Sequence, residues 1–204
     1  LCLLEREALE YENYLSVKQE YGLGNTRLFA SITCDARLHE LFEDSMVYFR
    51  PALSPLSLFC THQSEILAFE GPQTVNTGVA LCTSLGAKNI VLVGVDLGTS
   101  SLQASRSKSA VGTSKRNFEH KVPGNFTEFV YSDSLLLDGL LAMEACLRSY
   151  PDINVFNASD GVMIKGAIPM QLMDLIDDLS DNKTSDFNLW QGWWDKRQRF
   201  DRLA

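Results

Sequence analysis

The sequence is short of the features by which catalytic centres usually declare themselves. It has 3 histidines in 204 residues, and it contains no H-E-x-x-H, no C-x-x-C and no D-x-D pair after a strand. Those absences remove the commonest metal-ligating spacings, so a divalent metal is conceivable here but has no support. Neither phosphate-loop signature occurs: there is no G-x-G-x-x-G after a strand and no G-x-x-x-x-G-K-[ST]. Gly22-Leu23-Gly24 is too short a match, so any nucleotide site needs another geometry. No apolar run approaches the ~20 residues that cross a bilayer, and no signal peptide is visible. Without an export signal, the sequons at Asn125, Asn157 and Asn182 are read as chance matches.

Five cysteines (Cys2, Cys34, Cys60, Cys82 and Cys146) show no paired spacing. Cys82 and Cys146 fall inside apolar helical patterns, which suits reduced, buried thiols in a cytoplasmic protein. A net charge of −8 and a pI near 4.9 argue against nucleic acid or an anionic membrane as partner, while leaving room for a local basic pocket. There is no internal repeat and no low-complexity tract. Because the chain starts at Leu1, it is expected to be a piece of a longer protein.

What is present concentrates in residues 71–98, GPQTVNTGVALCTSLGAKNIVLVGVDLG. A Gly-Pro turn leads into Thr74, Asn76 and Thr77, residue types suited to a helix N-terminus whose first amides lack partners. Val75, Val79, Cys82 and Gly86 then recur at helical spacing, with Gly86 fit to stop the helix. Ile90 to Val95 is apolar without alternation, the pattern of a parallel strand covered on both faces. Asp96 follows at its carboxyl end, the edge where open α/β sheets bind ligands.

Elsewhere the pattern predicts a helix over residues 1–20 ending near Gly22 and Gly24. Short strands are expected at Leu28–Thr33, Val47–Arg50 and Ile66–Phe69, with turns at Pro51 and Pro55. Residues 99–125 read as a long irregular loop. Ser132, Asp133 or Ser134 caps a largely buried helix running to about Tyr150, followed by a strand Ile153–Phe156 and a helix from near Met170. Successive helix–strand units imply neighbouring parallel strands. On that order the Thr74–Thr77 helix start, Asp96, the 99–125 loop, the Ser132–Ser134 cap and Asn157–Gly161 are expected to share one rim.

The loop carries Arg106, Lys108, Lys115, Arg116 and Lys121 against the single acid Glu119, in an otherwise acidic chain. It reads equally as a lid for a phosphate or carboxylate and as a solvated segment. His120, in the same loop, suits a proton acceptor at a ligand rim, although a lone loop histidine is often incidental; His39 and His62 have weaker cases. Asp96 could meet a sugar hydroxyl, bind a metal or cap the next turn. Asp177, Asp178 and Asp181 are read as a solvated helix face. In the tail, Trp190, Trp193, Arg197 and Phe200 share a helical face that suits docking better than base stacking, given Asp186, Asp195 and Asp201 beside them.

The 71–98 segment, followed by VPGNF and then NVFNASDGVMIKGAIP, resembles the motility accessory factor (Maf) family over about residues 28–170. The resemblance implies a flagellin glycosyltransferase that transfers nonulosonic acids such as pseudaminic or legionaminic acid from a CMP-linked donor. It also implies a GT-A-like, Rossmann-related fold distantly similar to bacterial sialyltransferases. By this resemblance Thr74, Asn76, Thr77 and Gly78 match the stretch that holds the donor nucleotide. Asp96 matches the aspartate of a G-x-D motif, and His120 falls in the region of a catalytic histidine. Asn157, Ser159, Asp160 and Gly161 match an N-x-S-x-G segment assigned to the donor.

The family's upstream G-x-G-P-S-L turn is absent, so the chain is expected to be the C-terminal part of a catalytic domain. Leu97, Gly98 and Thr99 stand where the sialyltransferases keep tyrosines near the leaving phosphate. The expected organisation is an N-terminal helix over 1–24, a mainly parallel α/β domain over 25–169 and a helical segment over 170–204. The expected function is cytoplasmic glycosyl transfer to flagellin Ser/Thr hydroxyls, in support of flagellar assembly and motility. Two alternatives stay open: an ATP-dependent 6-hydroxymethylpterin pyrophosphokinase-like enzyme, and a non-catalytic flagellin-binding module.

Overall fold

The computed structural model describes residues 2–3, 8–51, 66–101 and 116–180. The chain divides into two compact units, one running up to Leu81 and the other beginning at Cys82. That boundary lies inside the span 25–169 read from the sequence as one domain.

The first unit is built on a parallel sheet of β1 (Cys2–Leu3), β2 (Leu28–Ser31) and β3 (Ser45–Tyr48), in that order. The helix expected over 1–24 starts later, as α1 (Ala8–Tyr21), because Cys2 and Leu3 serve as an edge strand against Phe29 and Ala30. Gly22 then adopts a φ of +75°, open to glycine and costly for other residues, and ends the helix. All of β2 is buried, and its alternating side chains feed two cores. Leu28 and Ala30 meet Leu38, Leu41 and Phe42 around the one-turn α2 (Leu38–Leu41). Phe29 meets Tyr48, Leu67 and Ala80, its ring stacked on that of Tyr48 at 4.7 Å. The expected strand Ile66–Phe69 reduces to a single bridge from Ile66 to Phe49. From Phe69, whose φ is +63°, the chain turns toward α3 (Thr74–Ser84).

The second unit holds a parallel sheet of β4 (Asn89–Leu92), β7 (Asn154–Asn157) and β8 (Ile168–Pro169). Beside it is an antiparallel hairpin of β5 (His120–Val122) and β6 (Val130–Ser132). α4 (Ser134–Ser149) connects the hairpin to β7, and α5 (Leu172–Ser180) follows β8. α4 buries Leu140, Met143, Cys146 and Leu147, but Leu135 and Leu141 are more than half exposed, so it is amphipathic rather than buried all round. Burial raises the thiol pKa of Cys82 and of Cys146, which keeps both protonated; neither is in a disulfide.

Two differences from expectation reshape the candidate site. The strand expected over Ile90–Val95 stops at Leu92, because Gly94 takes a φ of +69° and turns Val93 out to solvent. The loop expected to stay irregular to Asn125 instead forms β5, and Thr99 bridges to Tyr131. Residues 102–115 of that loop lie outside the described residues. So does the tail with Trp190, Trp193, Arg197 and Phe200, together with His62, Cys60 and Asp181. No helix among the described residues is long and apolar enough to cross a membrane.

Candidate active site

β7 ends in Asn157, which is fully buried. Its side chain folds the following turn back on itself: Oδ1 accepts from the Ser159 amide at 3.1 Å and Nδ2 donates to Val162 O at 3.3 Å. Ser159 is also buried, and its Oγ accepts from the Val95 amide at 2.8 Å, tying the turn to the chain beyond β4. From the opposite side, Asn125 Nδ2 donates to Asn157 O and to Ser159 O, both at 2.9 Å. The Asn125 amide donates to Gly161 O at 2.8 Å. The turn is thus held by three asparagine and serine side chains whose bonds run inward.

Gly161 is where this turn touches Asp96. A Cβ on Gly161 would overlap the Asp96 backbone, and the Val162 amide donates to Asp96 O at 2.7 Å. Leu97, next in sequence, is buried with a φ of +48°, a strained conformation for leucine that the surrounding contacts impose. The result is that Asp96 and Asp160 flank one another while both side chains face solvent. Partial desolvation, and after it the like charge of Asp160, raise the Asp96 carboxyl above its ordinary 3.8.

That shift has a readable consequence. A folded-state value above the unfolded one favours folding at low pH, and the contribution is lost as pH rises through the raised value. Asp96→Asn is therefore expected to raise the urea midpoint at pH 7, with the gain shrinking as pH falls below the carboxylate range. Paired denaturation curves across pH check this.

His120 opens β5 opposite Ser132 of β6. The Ser132 hydroxyl donates to Leu97 O at 2.7 Å, so one strand and one hydrogen bond separate His120 from the residue after Asp96. The imidazole is exposed, and its Nε2 shares a 3.2 Å hydrogen bond with Ser134 Oγ at the start of α4. Asp133 caps that helix, accepting from the Leu136 amide at 2.8 Å, and pairs with Arg116 at 2.8 Å. Burial works to raise the Asp133 carboxyl, but the Arg116 and Leu136 hydrogen bonds outweigh it and hold the value below normal. Lys121 lies 3.5 Å over the Phe129 ring. Two of the five loop cations are therefore engaged locally, and Arg106, Lys108 and Lys115 lie outside the described residues.

The start of α3 belongs to the first unit. Asn76 and Thr77 are buried there. Asn76 Oδ1 accepts from the Gln73 amide at 3.2 Å, one half of a capping box. Thr77 Oγ1 donates to Glu70 O at 2.6 Å. Thr74 is exposed at the helix end. A Cβ on Gly78 would meet nothing within 4 Å, so packing does not require the glycine. Gly78→Ala is expected to stabilise the protein by about 0.5–1 kcal/mol through helix propensity, measured as a shift in denaturation midpoint. Lost donor binding in that variant would show that a ligand approaches the backbone here.

No protein-family model matches the chain, and no curated protein does. Among solved structures, the MAf glycosyltransferase from Magnetospirillum magneticum AMB-1 is similar at 33% identity over 97% of this chain, with a TM-score of 0.68. Over nearly its whole length the chain is thus similar to part of a Maf glycosyltransferase. It spans 32% of that protein's length.

Within the chain the second unit brings together Asp96, Asn157, Ser159, Asp160 and Gly161, with His120 on the adjoining hairpin. Thr74, Asn76, Thr77 and Gly78 form a separate arrangement in the first unit. Their expected place on the Asp96 rim relates one unit to the other and stands as an expectation. Asn157 and Ser159 shape the turn with their side chains, while Asp96, Asp160 and His120 present theirs to solvent. Sequence reasoning named Ser132 only as a possible helix cap on the rim, and overlooked its bond to Leu97 O and the bracing role of Asn125. A buried serine inside a three-residue strand leaves no periodic signal, and Asn125 was visible only as part of VPGNF. Among the described residues no group of three or more His, Cys, Asp or Glu side chains could hold a metal ion.

Proposed function

We propose that this chain is part of a cytoplasmic glycosyltransferase that moves a nonulosonic acid of the pseudaminic or legionaminic type from a CMP-linked donor to flagellin Ser/Thr hydroxyls. Flagellar assembly and motility are the processes it serves. The observation that carries the reading is the similarity to a solved MAf glycosyltransferase over nearly the whole chain, joined to the solvent-facing Asp96, Asp160 and His120 at strand ends. The parallel sheets with connecting helices suit a Rossmann-like, sialyltransferase-like framework.

In this reading the acceptor hydroxyl attacks the anomeric carbon, the bond to the CMP phosphate breaks, and configuration inverts. His120 takes the hydroxyl proton as general base. Its bond to Ser134 fixes the ring while leaving it open to an acceptor. Asp96 orients a sugar or acceptor hydroxyl, and Asp160 and Gly161 form the donor side of the same turn, with Asn157 and Ser159 behind them. In the first unit, the α3 start at Thr74–Gly78 receives the anionic donor, as a helix N-terminus does.

The test is CMP release on incubation of the protein with a CMP-linked nonulosonic acid and flagellin. Release that depends on acceptor hydroxyls is expected. A protein that binds flagellin but gives neither CMP release nor CMP-dependent stabilisation would reduce the chain to a docking module.

A further inference from the structure

Arg50 follows β3 at the carboxyl end of the first unit's sheet, and it is only 7% exposed. Among the described residues its guanidinium meets one charged partner, Glu70, itself 2% exposed. The Nε–Oε1 separation of 3.6 Å is too long for a hydrogen bond. Nε is buried without a hydrogen-bond partner. Buried guanidinium groups are normally well hydrogen-bonded, because removing the charge from water is costly otherwise.

The guanidinium lies close to Gly71. A Cβ at Gly71 would stand 3.2 Å from Arg50 Nη2, so the charge lies against the turn that enters α3. At that helix end the Gln73 amide is met by Asn76 Oδ1, and the Asn76 and Thr77 amides reach Gln73 O. Helix geometry leaves the amides of Thr74 and Val75 over. A nine-tenths buried arginine with an unanswered Nε thus lies against the turn that leads into an eleven-residue helix.

We propose that Arg50 and the amino end of α3 together bind the phosphate of the nucleotide donor, with Glu70 holding the guanidinium in place. A phosphate oxyanion accepts two N–H bonds from the arginine fork and one or two from the helix amides. Glu70 occupies the Nε side and leaves the Nη edge to the ligand. The inference rests on the CMP-donor reading above but concerns a different residue, one that the family motifs do not single out.

Isothermal titration with CMP, cytidine and inorganic phosphate tests it on the wild-type protein, on Arg50→Lys and on the double variant Arg50→Gln with Glu70→Gln. The double variant removes both charges, so neither is left buried and alone. Wild type is expected to prefer CMP over cytidine, and the double variant to lose CMP affinity about tenfold or more with cytidine unchanged. Arg50→Lys keeps the charge but not the fork, and is expected to lose part of the CMP preference. A folded double variant that binds CMP as wild type does overturns the proposal and leaves the donor reading standing. If the double variant fails to fold, an undiminished CMP preference in Arg50→Lys overturns it. Phosphate binding that Arg50 controls, without any preference for CMP, supports the anion site while removing the donor reading. Wild type that binds neither CMP nor phosphate overturns the proposal.

Discussion

Replacing His120 with alanine is expected to slow glycosyl transfer about 10²-fold or more while leaving the fold unchanged. The asymmetry follows from where the side chain sits. His120 is exposed, and its one side-chain hydrogen bond among the described residues is shared with Ser134 Oγ at 3.2 Å. Little packing is lost on truncation, so the melting temperature should barely move. The loss should fall on kcat, because a base acts when the acceptor proton leaves and contributes little to holding the ground state. Ser134→Ala is the control: it frees the ring without removing it, and its effect should be much smaller. Steady-state CMP release by the three proteins reads the result directly. Unchanged turnover in His120→Ala removes this residue from the mechanism.

The second large effect is on stability. Gly161→Ala is expected to destabilise the protein by about 3 kcal/mol or more, since a Cβ there would overlap the Asp96 backbone rather than a movable side chain. Relief requires the 157–162 turn to move away from Asp96. That movement breaks the bond from the Val162 amide to Asp96 O and loosens the one from Ser159 to Val95. Donor binding should therefore weaken along with the fold, even though glycine has no side chain to contact a ligand. Urea denaturation gives the stability loss, and CMP titration gives the second readout. A variant as stable as wild type would mean that the Asp96–Gly161 contact does not exist.

Much of this arrangement was legible in the residues because it rests on local rules. The α3 helix, its glycine stop at Gly86 with a φ of +79°, the Asp133 cap of α4 and the parallel pairing of β4 with β7 each follow from short-range signals. The early end of β4 was not legible, since Val93, Gly94 and Val95 read as more buried strand. Only the tertiary bond from the Val95 amide to Ser159 shows how the chain continues. The β5–β6 hairpin was missed for a related reason: three-residue strands are too short to show alternation, and Val130–Ser132 gains its pairing from His120–Val122.

Candidate residues divided along similar lines. Asn76, Thr77, Asn157 and Ser159 have the polar character of binding residues, yet burial turns their side chains to holding turns together. Arg50 and Glu70 went unremarked because each is a lone charge beside apolar or turn residues, and their pairing spans twenty positions.

The most direct measurement is the mass of flagellin after incubation of the protein with a CMP-linked nonulosonic acid, read together with the CMP released. The account predicts mass increments of one nonulosonyl residue on Ser/Thr sites, with an equal amount of CMP. An unmodified flagellin and no CMP, beside pyrophosphoryl transfer that requires ATP and Mg²⁺, would contradict it.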